Sequence, residues 1–453
     1  MNMKFLCLPL LPLSFLSCSK FLEKVPDPSL AIPTTVAGFR ELLDNDLITN
    51  NSTPGLGILG SDDIMLNFAT WQTTDPTPKS AYIWEKEIYE DDAAFPWSTP
   101  YKVIYYANVV LDWMPGVAIP DAATQLEYNA VIGTALFTRA FQFYNLQETF
   151  GQIFRPGLAS TAMGIPLRLK SDPHQQVGRA SVQQVYDQII KDLKRSIPLL
   201  PGEVQFTRRN RPCKAAAYAL LSRAYLSMQA YDSARIYADS CLRLYDKLVD
   251  YDTVNAAATR PFSISGNNEV LYQCTAVNFR AQSQPSTQVD TLLYNSYAAD
   301  DLRKTIFFKP SGSGHYFRAH YSGRIYLFSG LATDEVFLTR AECYARAGRN
   351  QEALADLNTL LARRWKKGTF QPYEVATAGD VLSLVLTERR KETLFRETRW
   401  ADLRRLNQEG HYGGALRRVL NNSEYLLMPG DPRYAYPIPK EEVRLGDIPQ
   451  NPR

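Results

Sequence analysis

Two stretches of this sequence repeat one spacing, and that spacing narrows the fold more than any other feature. In the first, Tyr218, Leu221, Ser222 and Tyr225 fall on one helix face. A break at Gln229-Ala230-Tyr231-Asp232 follows, and Ala234 stands nine residues after Tyr225, opening a second amphipathic stretch through Cys241. In the second, Phe337, Ala341 and Tyr344 line a face, Ala347-Gly348-Arg349-Asn350 turns the chain, and Ala353 again stands nine residues after the tyrosine, followed by Leu357 and Leu360. The small residue lets two helices approach closely, and the tyrosine fills the groove beside it. The chain is therefore expected to build helical hairpins.

Aromatic, small, Tyr, then Ala is the tetratricopeptide order. Two further helical stretches fit it: 126–150, and 181–199 with Ser181 as N-cap. Residues 382–407 read as one more long helix. Residues 45–100 and 246–330 are instead rich in Gly, Pro, Ser, Asn and aromatics. They interrupt the helices, and loops on a rigid scaffold are where binding residues concentrate. The expected fold is mainly α: a curved scaffold of TPR-like hairpins over about 101–245 and 333–407. Loop-rich and minor β insertions over about 45–100 and 246–330 carry the ligand site.

The N-terminus reads as an export signal. Residues 1–4 hold one charge, residues 5–15 are apolar and far too few to span a bilayer, and the run ends at Leu16-Ser17-Cys18. A small residue before Cys suits lipoprotein processing, so 1–17 would be removed and 18–453 would form one lipid-anchored domain. An ordinary leader followed by a chance cysteine is the alternative. Cys213, Cys241, Cys274 and Cys343 show no C-x-x-C and no metal-like spacing. They read as buried hydrophobes, with a disulfide as the alternative in an oxidising compartment.

Charge and motifs exclude several functions. With 50 basic against 47 acidic residues, net charge +3, there is no electrostatic case for nucleic acid. The four histidines (His174, His315, His320 and His411) form no H-E-x-x-H, and Gly312-Ser313-Gly314 fails the G-x-S-x-G spacing. There is no Walker loop and no dinucleotide fingerprint, and acid pairs such as Asp62-Asp63 and Asp91-Asp92 read as solvated loop residues. Nothing points to a cofactor, a metal or catalysis. The body is expected to work by binding.

The C-terminal half carries Glu388-Arg389-Arg390-Lys391-Glu392-Thr393-Leu394-Phe395, then Arg399-Trp400-Ala401-Asp402-Leu403-Arg404-Arg405. This resembles the signature of the SusD/RagB family. Cys18 to Glu23, Arg139-Ala140-Phe141 with Phe150-Gly151, Gly164-Ile165-Pro166-Leu167, Arg340-Ala341-Glu342-Cys343-Tyr344, Tyr436-Pro437-Ile438-Pro439 and Gln450-Asn451-Pro452 are similar to other family segments, in the family's order. Two departures stand out. Arg396-Glu397 replaces the usual E-G, and the acidic run after the lipidated Cys is reduced to Lys20 and Glu23, which weakens the signal for the cell surface. The resemblance implies a non-catalytic nutrient receptor in the outer membrane of Bacteroidetes-type bacteria. It would be lipid-anchored on Cys18 and seated on a SusC-like TonB-dependent transporter. Its ligand would be an oligosaccharide or, in a RagB-like reading, a peptide. A pure helical-repeat interaction scaffold and a hydrolase are the other classes.

Sugar rings stack on Trp or Tyr while their hydroxyls need polar partners. The candidates therefore lie in the insertions. Trp71 sits in a polar loop, Tyr82 and Trp84 alternate as on a strand, Tyr294 and Tyr297 precede Asp300-Asp301-Leu302-Arg303, and His315, Tyr316 and Arg318 follow a Gly-Ser-Gly loop. Trp97, Trp113 and Trp365 read as structural. In the charged run, Glu388 and Glu392 share a helix face, as do Arg399 and Asp402, so pairing with neighbours while Leu394, Phe395 and Leu403 enter the core is expected.

Overall fold

The computed structural model describes residues 32–90, 94–282, 287–410 and 412–453. The expected leader, Cys18, Asp91, Asp92 and His411 lie outside the described residues. The fold is mainly helical, as expected. Helix Phe95–Trp113 packs on Ala122–Phe150, which packs on Val182–Ser196. Lys214–Ser227 and Tyr231–Leu244 follow, then Thr333–Arg346 and Asn350–Leu361, then Val381–Glu392. Tyr231–Leu244 packs directly on Thr333–Arg346, so the scaffold resumes where it left off although the intervening chain runs elsewhere.

The repeated spacing produces repeated geometry. Ala234 and Ala353 are fully buried where their hairpins close. Gln229 and Gly348, each four residues after its tyrosine, both take left-handed backbone at φ 59° and 72°. The hydrogen bonds match as well. Ala230 N–H donates to Tyr225 O and Arg349 N–H to Tyr344 O, both at 2.9 Å, the bond that closes a Schellman turn.

Ala122–Phe150 is buried almost all round from Val131 onward because helices cover both its sides. Its Arg139 forks onto Asp192 with two 2.8 Å bonds and reaches Asn108 at 2.9 Å, tying three helices together. Ser181 caps the next helix through a reciprocal capping box with Gln184, as expected. Cys213, Cys241, Cys274 and Cys343 are buried and unpaired. No described helix is long and apolar enough to cross a membrane.

The stretch 382–407 is not one helix. Val381–Glu392 ends, Phe395 and Glu397 take left-handed backbone, and Thr398–Leu406 starts in a new direction. The break seats Phe395 in the core beside Phe317 and lets Glu397 accept from Gly55 N–H at 2.5 Å. It also sets Trp400 against helix Leu56–Gly60. A Cβ at Gly57 would lie 2.9 Å from Trp400, and one at Gly60 2.8 Å from the ring, so only glycine permits this approach.

The two irregular regions join into one lobe. Strand Asn51–Thr53 pairs in parallel with Thr275–Ala276. Ile64–Met65 pairs with Gln288–Val289, which pairs with Gly314–Phe317 and so with Phe308–Ser311, forming a four-stranded sheet. A hairpin, Leu416–Leu420 with Ser423–Leu427, closes over the first region.

Candidate functional site

The four-stranded sheet has two unlike faces. Residues opposite one another in register share a face. Ile64 and Val289 oppose each other, as do Phe308 and Phe317, and all four are buried. Met65, Gln288, Tyr316 and Lys309 form the opposing row, and none of them is buried. The row crosses both insertions and offers a ring, an amide, an ammonium group and a thioether side by side. Gln288 is held by donating to Ser311 O at 3.0 Å.

Trp71 lies just beyond the first strand of this sheet, in helix Phe68–Gln72, and is half-buried. Its Nε1–H donates to Lys79 O at 3.0 Å, Phe68 stacks 6.0 Å away, and the Lys79 ammonium sits 4.9 Å from the ring. The indole is thus oriented by its own neighbours. Tyr294 and His315 are also half-buried. Their rings stack at 3.6 Å and 14°, with the Lys304 ammonium 5.2 Å from Tyr294. Burial, then Lys304, lowers the imidazole pKa, so this ring stacks neutral. Strand alternation puts His315 on the opposite face from Tyr316.

Four residues expected at the site are in the core instead. Tyr82 ends helix Pro76–Tyr82, and Trp84 follows in left-handed backbone, so the two do not alternate on a strand. The Tyr82 hydroxyl accepts from Leu66 N–H at 2.9 Å, Trp84 Nε1–H donates to Gly60 O at 3.0 Å, and both are buried. Arg418 of the hairpin covers both rings, at 4.0 and 5.0 Å, while donating to the carbonyls of Ile64, Ser61 and Leu59. Tyr297 is buried and donates to Lys391 O at 2.8 Å. Arg318 is buried and donates to the carbonyls of Ala256, Ala258 and Thr305, holding the second insertion's own loops together. Each of these side chains has a polar tip that found a backbone partner inside, which removes it from ligand contact. Trp97, read as structural, is buried edge-on against Phe150 at 5.1 Å.

The charged run 388–405 fastens the lobe to the scaffold. Arg303 of the second insertion bonds Asp301, Glu388 and Glu392 at 2.7, 2.6 and 3.0 Å. Arg399 forks onto Asp62, and Arg390 bonds Asp63, at 2.8 and 2.9 Å. So both acids are ion-paired, Asp63 fully buried and Asp62 partly exposed. Burial works to raise the Asp62 carboxyl, but Arg399 and Arg390 outweigh it and leave it well below the usual range. At Asp63 burial prevails over Arg390 and lifts the carboxyl to about 6. Glu269, Asp334 and Glu392 come close enough to one another to hold a cation. Guanidinium groups take that role instead. Arg364 bonds Glu269 and Glu392 at 2.8 Å each, and Arg396 bonds Asp334 at 2.7 Å. The cluster is an ion-pair network rather than a metal centre.

The sequence reading missed Met65, Gln288 and Lys309. Their strands are two to four residues long, too short for alternation to show. It also missed a polar cleft of about 670 Å³ at the base of the lobe, lined from residues 44–51, 207–210 and 264–326.

Comparison with known proteins fits this architecture. A family model described as SusD-like, starch-binding associating with outer membrane, matches residues 20–226, and the SusD family model matches residues 333–453. The SusD-like protein P2 of Formosa agariphila is 25% identical over 403 residues, covering 74% of this chain and 77% of the relative. Among solved structures, a SusD superfamily protein from Bacteroides thetaiotaomicron superposes with a TM-score of 0.75 at 22% identity, covering 92% of this chain and all of that one. A laminarin-binding SusD-like protein superposes with a TM-score of 0.63 at 17% identity, covering 92% of this chain and 98% of that one. The two matched segments carry most of the helical scaffold and the C-terminal signature that clamps the lobe to it, and this chain belongs to the SusD/RagB family.

Proposed function

We propose that this protein captures saccharides at the outer membrane and passes them, unaltered, to a SusC-like TonB-dependent transporter. The observation that carries the reading is the sheet shared by both insertions. Its outward row (Met65, Gln288, Tyr316 and Lys309) has the half-buried Trp71 beside its first strand. Rings for the C–H faces of a sugar, with amide and ammonium groups for its hydroxyls, are the donor and stacking set a saccharide needs. Tyr294 and His315 form a second, separate aromatic pair on the other face of the strand. The starch-binding description of the matching family and the laminarin-binding relative of the same fold support this class of ligand. In this reading residues 1–17 are a leader, 18–453 form one domain, and lipid on Cys18 keeps the receptor beside its barrel.

A peptide ligand is less well served. Strand addition needs a free edge of backbone donors. The edge strand Phe308–Ser311 carries Pro310, which has no N–H to offer. Calorimetric titration of the full-length chain in detergent against neutral and acidic oligosaccharides tests the proposal. We expect binding, with Trp71→Ala and Tyr316→Ala each weakening it by about tenfold, the worth of one lost stacking contact. Chromatography should return the ligand unchanged. Absence of binding to every oligosaccharide in the panel would sink the reading.

A further inference from the structure

The polar cleft at the base of the lobe is built from three parts of the chain: residues 44–51, the loop 207–210 and the second insertion. Its lining is fixed from behind. Asn51 stands opposite Thr275 in the parallel strand pair, and its Oδ1 accepts from the Thr275 hydroxyl at 2.9 Å. The backbone of Gln273 is held on both sides. Its N–H donates to Arg209 O at 2.7 Å, and its carbonyl accepts from Asn50 Nδ2 at 2.6 Å. The turn 322–326 is set by Ser322, whose hydroxyl donates to Tyr326 O at 2.6 Å and accepts from Arg324 N–H at 3.2 Å. Gly323 takes left-handed backbone at φ 63° inside that turn.

These fixed residues carry polar groups that the fold leaves unused. Asn51, Thr207, Gln273, Arg324 and Tyr326 all line the cleft. Among the described residues Asn51 Nδ2, Gln273 Nε2, the Arg324 guanidinium and the hydroxyls of Thr207 and Tyr326 have no hydrogen-bond partner, and none of these groups is sealed from solvent. Thr207 and Arg324 are exposed, and the other three are half-buried. Leu47 and Ile264 add apolar surface to the same lining. Donors outnumber acceptors here. Ring and glycosidic oxygens only accept, and hydroxyls do both, so a saccharide suits such a lining better than a peptide, whose N–H groups need acceptors. A volume of about 670 Å³ lies within the range of small-molecule sites.

We infer that this cleft is a second saccharide subsite, which takes a sugar unit with its oxygens on Asn51, Gln273 and Arg324 and its C–H face on Tyr326. The inference rests on the saccharide reading and adds a contact region to it. That region is built by different residues from the outward row of the four-stranded sheet.

Calorimetric titration of the full-length chain in detergent against the same neutral and acidic oligosaccharides tests it. In the double variant Trp71→Ala/Tyr316→Ala, which removes the rings at the sheet, oligosaccharide binding should persist. Adding Tyr326→Ala to that variant should weaken what remains by about tenfold, the worth of one lost stacking contact. Arg324→Ala and Thr207→Trp change exposed side chains and so leave the fold intact. The first removes a donor and should weaken the remaining binding by about fivefold. The second puts an indole into the cleft and should block it, even if Tyr326→Ala fails to fold. Loss of all binding in Trp71→Ala/Tyr316→Ala would overturn the inference while leaving the saccharide reading standing. So would residual binding untouched by Tyr326→Ala, Arg324→Ala and Thr207→Trp. Binding of no oligosaccharide to the unaltered chain would overturn both.

Discussion

The helical scaffold and the lobe hold together by different means. The hairpins at Tyr225–Ala234 and Tyr344–Ala353 repeat the same buried alanine, the same left-handed turn position and the same closing hydrogen bond, all within a few residues of one another. The lobe has no such local rule. Its strands are two to four residues long, and its attachment runs through Arg303, Arg390, Arg399 and Arg418, whose partners are mostly distant in sequence. Local packing can specify a hairpin on its own. A lobe of irregular chain needs polar groups elsewhere to satisfy its backbone and carboxylates. The family matches stop at residue 226 and resume at 333, so the first insertion is matched and the whole of the second is not.

Breaking the clamp should separate the two regions. Arg303→Met leaves Asp301, Glu388 and Glu392 around a vacated buried position, and removing one partner of such a network costs about 3–5 kcal/mol. Hydrogen exchange should show amides of 288–317 losing protection before those of 214–244. Equal loss in both would mean that lobe and scaffold form one cooperative unit.

A smaller effect is expected where the left-handed Glu397 reaches into the first insertion. Burial, only partly offset by bonds from Thr53 and Gly55, pushes its carboxyl up to about 7 from 4.5. The folded state therefore keeps a proton that the unfolded chain releases, and stability falls as pH rises between those values. Glu397→Gln should flatten that slope by an amount on the order of 1 kcal/mol, read as denaturation midpoints at pH 5 and pH 8. An unchanged slope would place the titrating group elsewhere.

The scaffold should respond the other way to a backbone change. Gln229 occupies the left-handed position that Gly348 fills in the second hairpin. Gln229→Gly should raise stability by about 0.5–1 kcal/mol and Gly348→Gln should lower it by a similar amount, measured by thermal unfolding. If both destabilise, the Gln229 side chain matters more than its backbone.

Much of the scaffold was legible because its signals are short-range. Ser181 and Gln184 form the expected cap, Ala234 and Ala353 close their hairpins, and Leu394, Phe395 and Leu403 enter the core. The break inside 382–407 was not legible, since neither Phe395 nor Glu397 is a residue that announces left-handed backbone. Nor was the fate of the aromatic candidates. Trp71 reads as part of a polar loop and Trp84 as part of a strand, yet the first is half-buried in a short helix and the second is sealed under Arg418. Asp62 and Asp63 looked like solvated acids and are clamp partners.

The sequence by itself determined the hairpins, their turns, the charged signature and the family they point to. Each of these is written in spacings of three, four or nine residues, which a single helix or turn can satisfy. Only the tertiary structure decided which rings face outward and which acids are paired. Those outcomes depend on partners such as Arg418 and Ile64, or Arg399 and Asp62, more than 300 residues apart in the chain. Burial and electrostatics act between such groups only after the chain has brought them together.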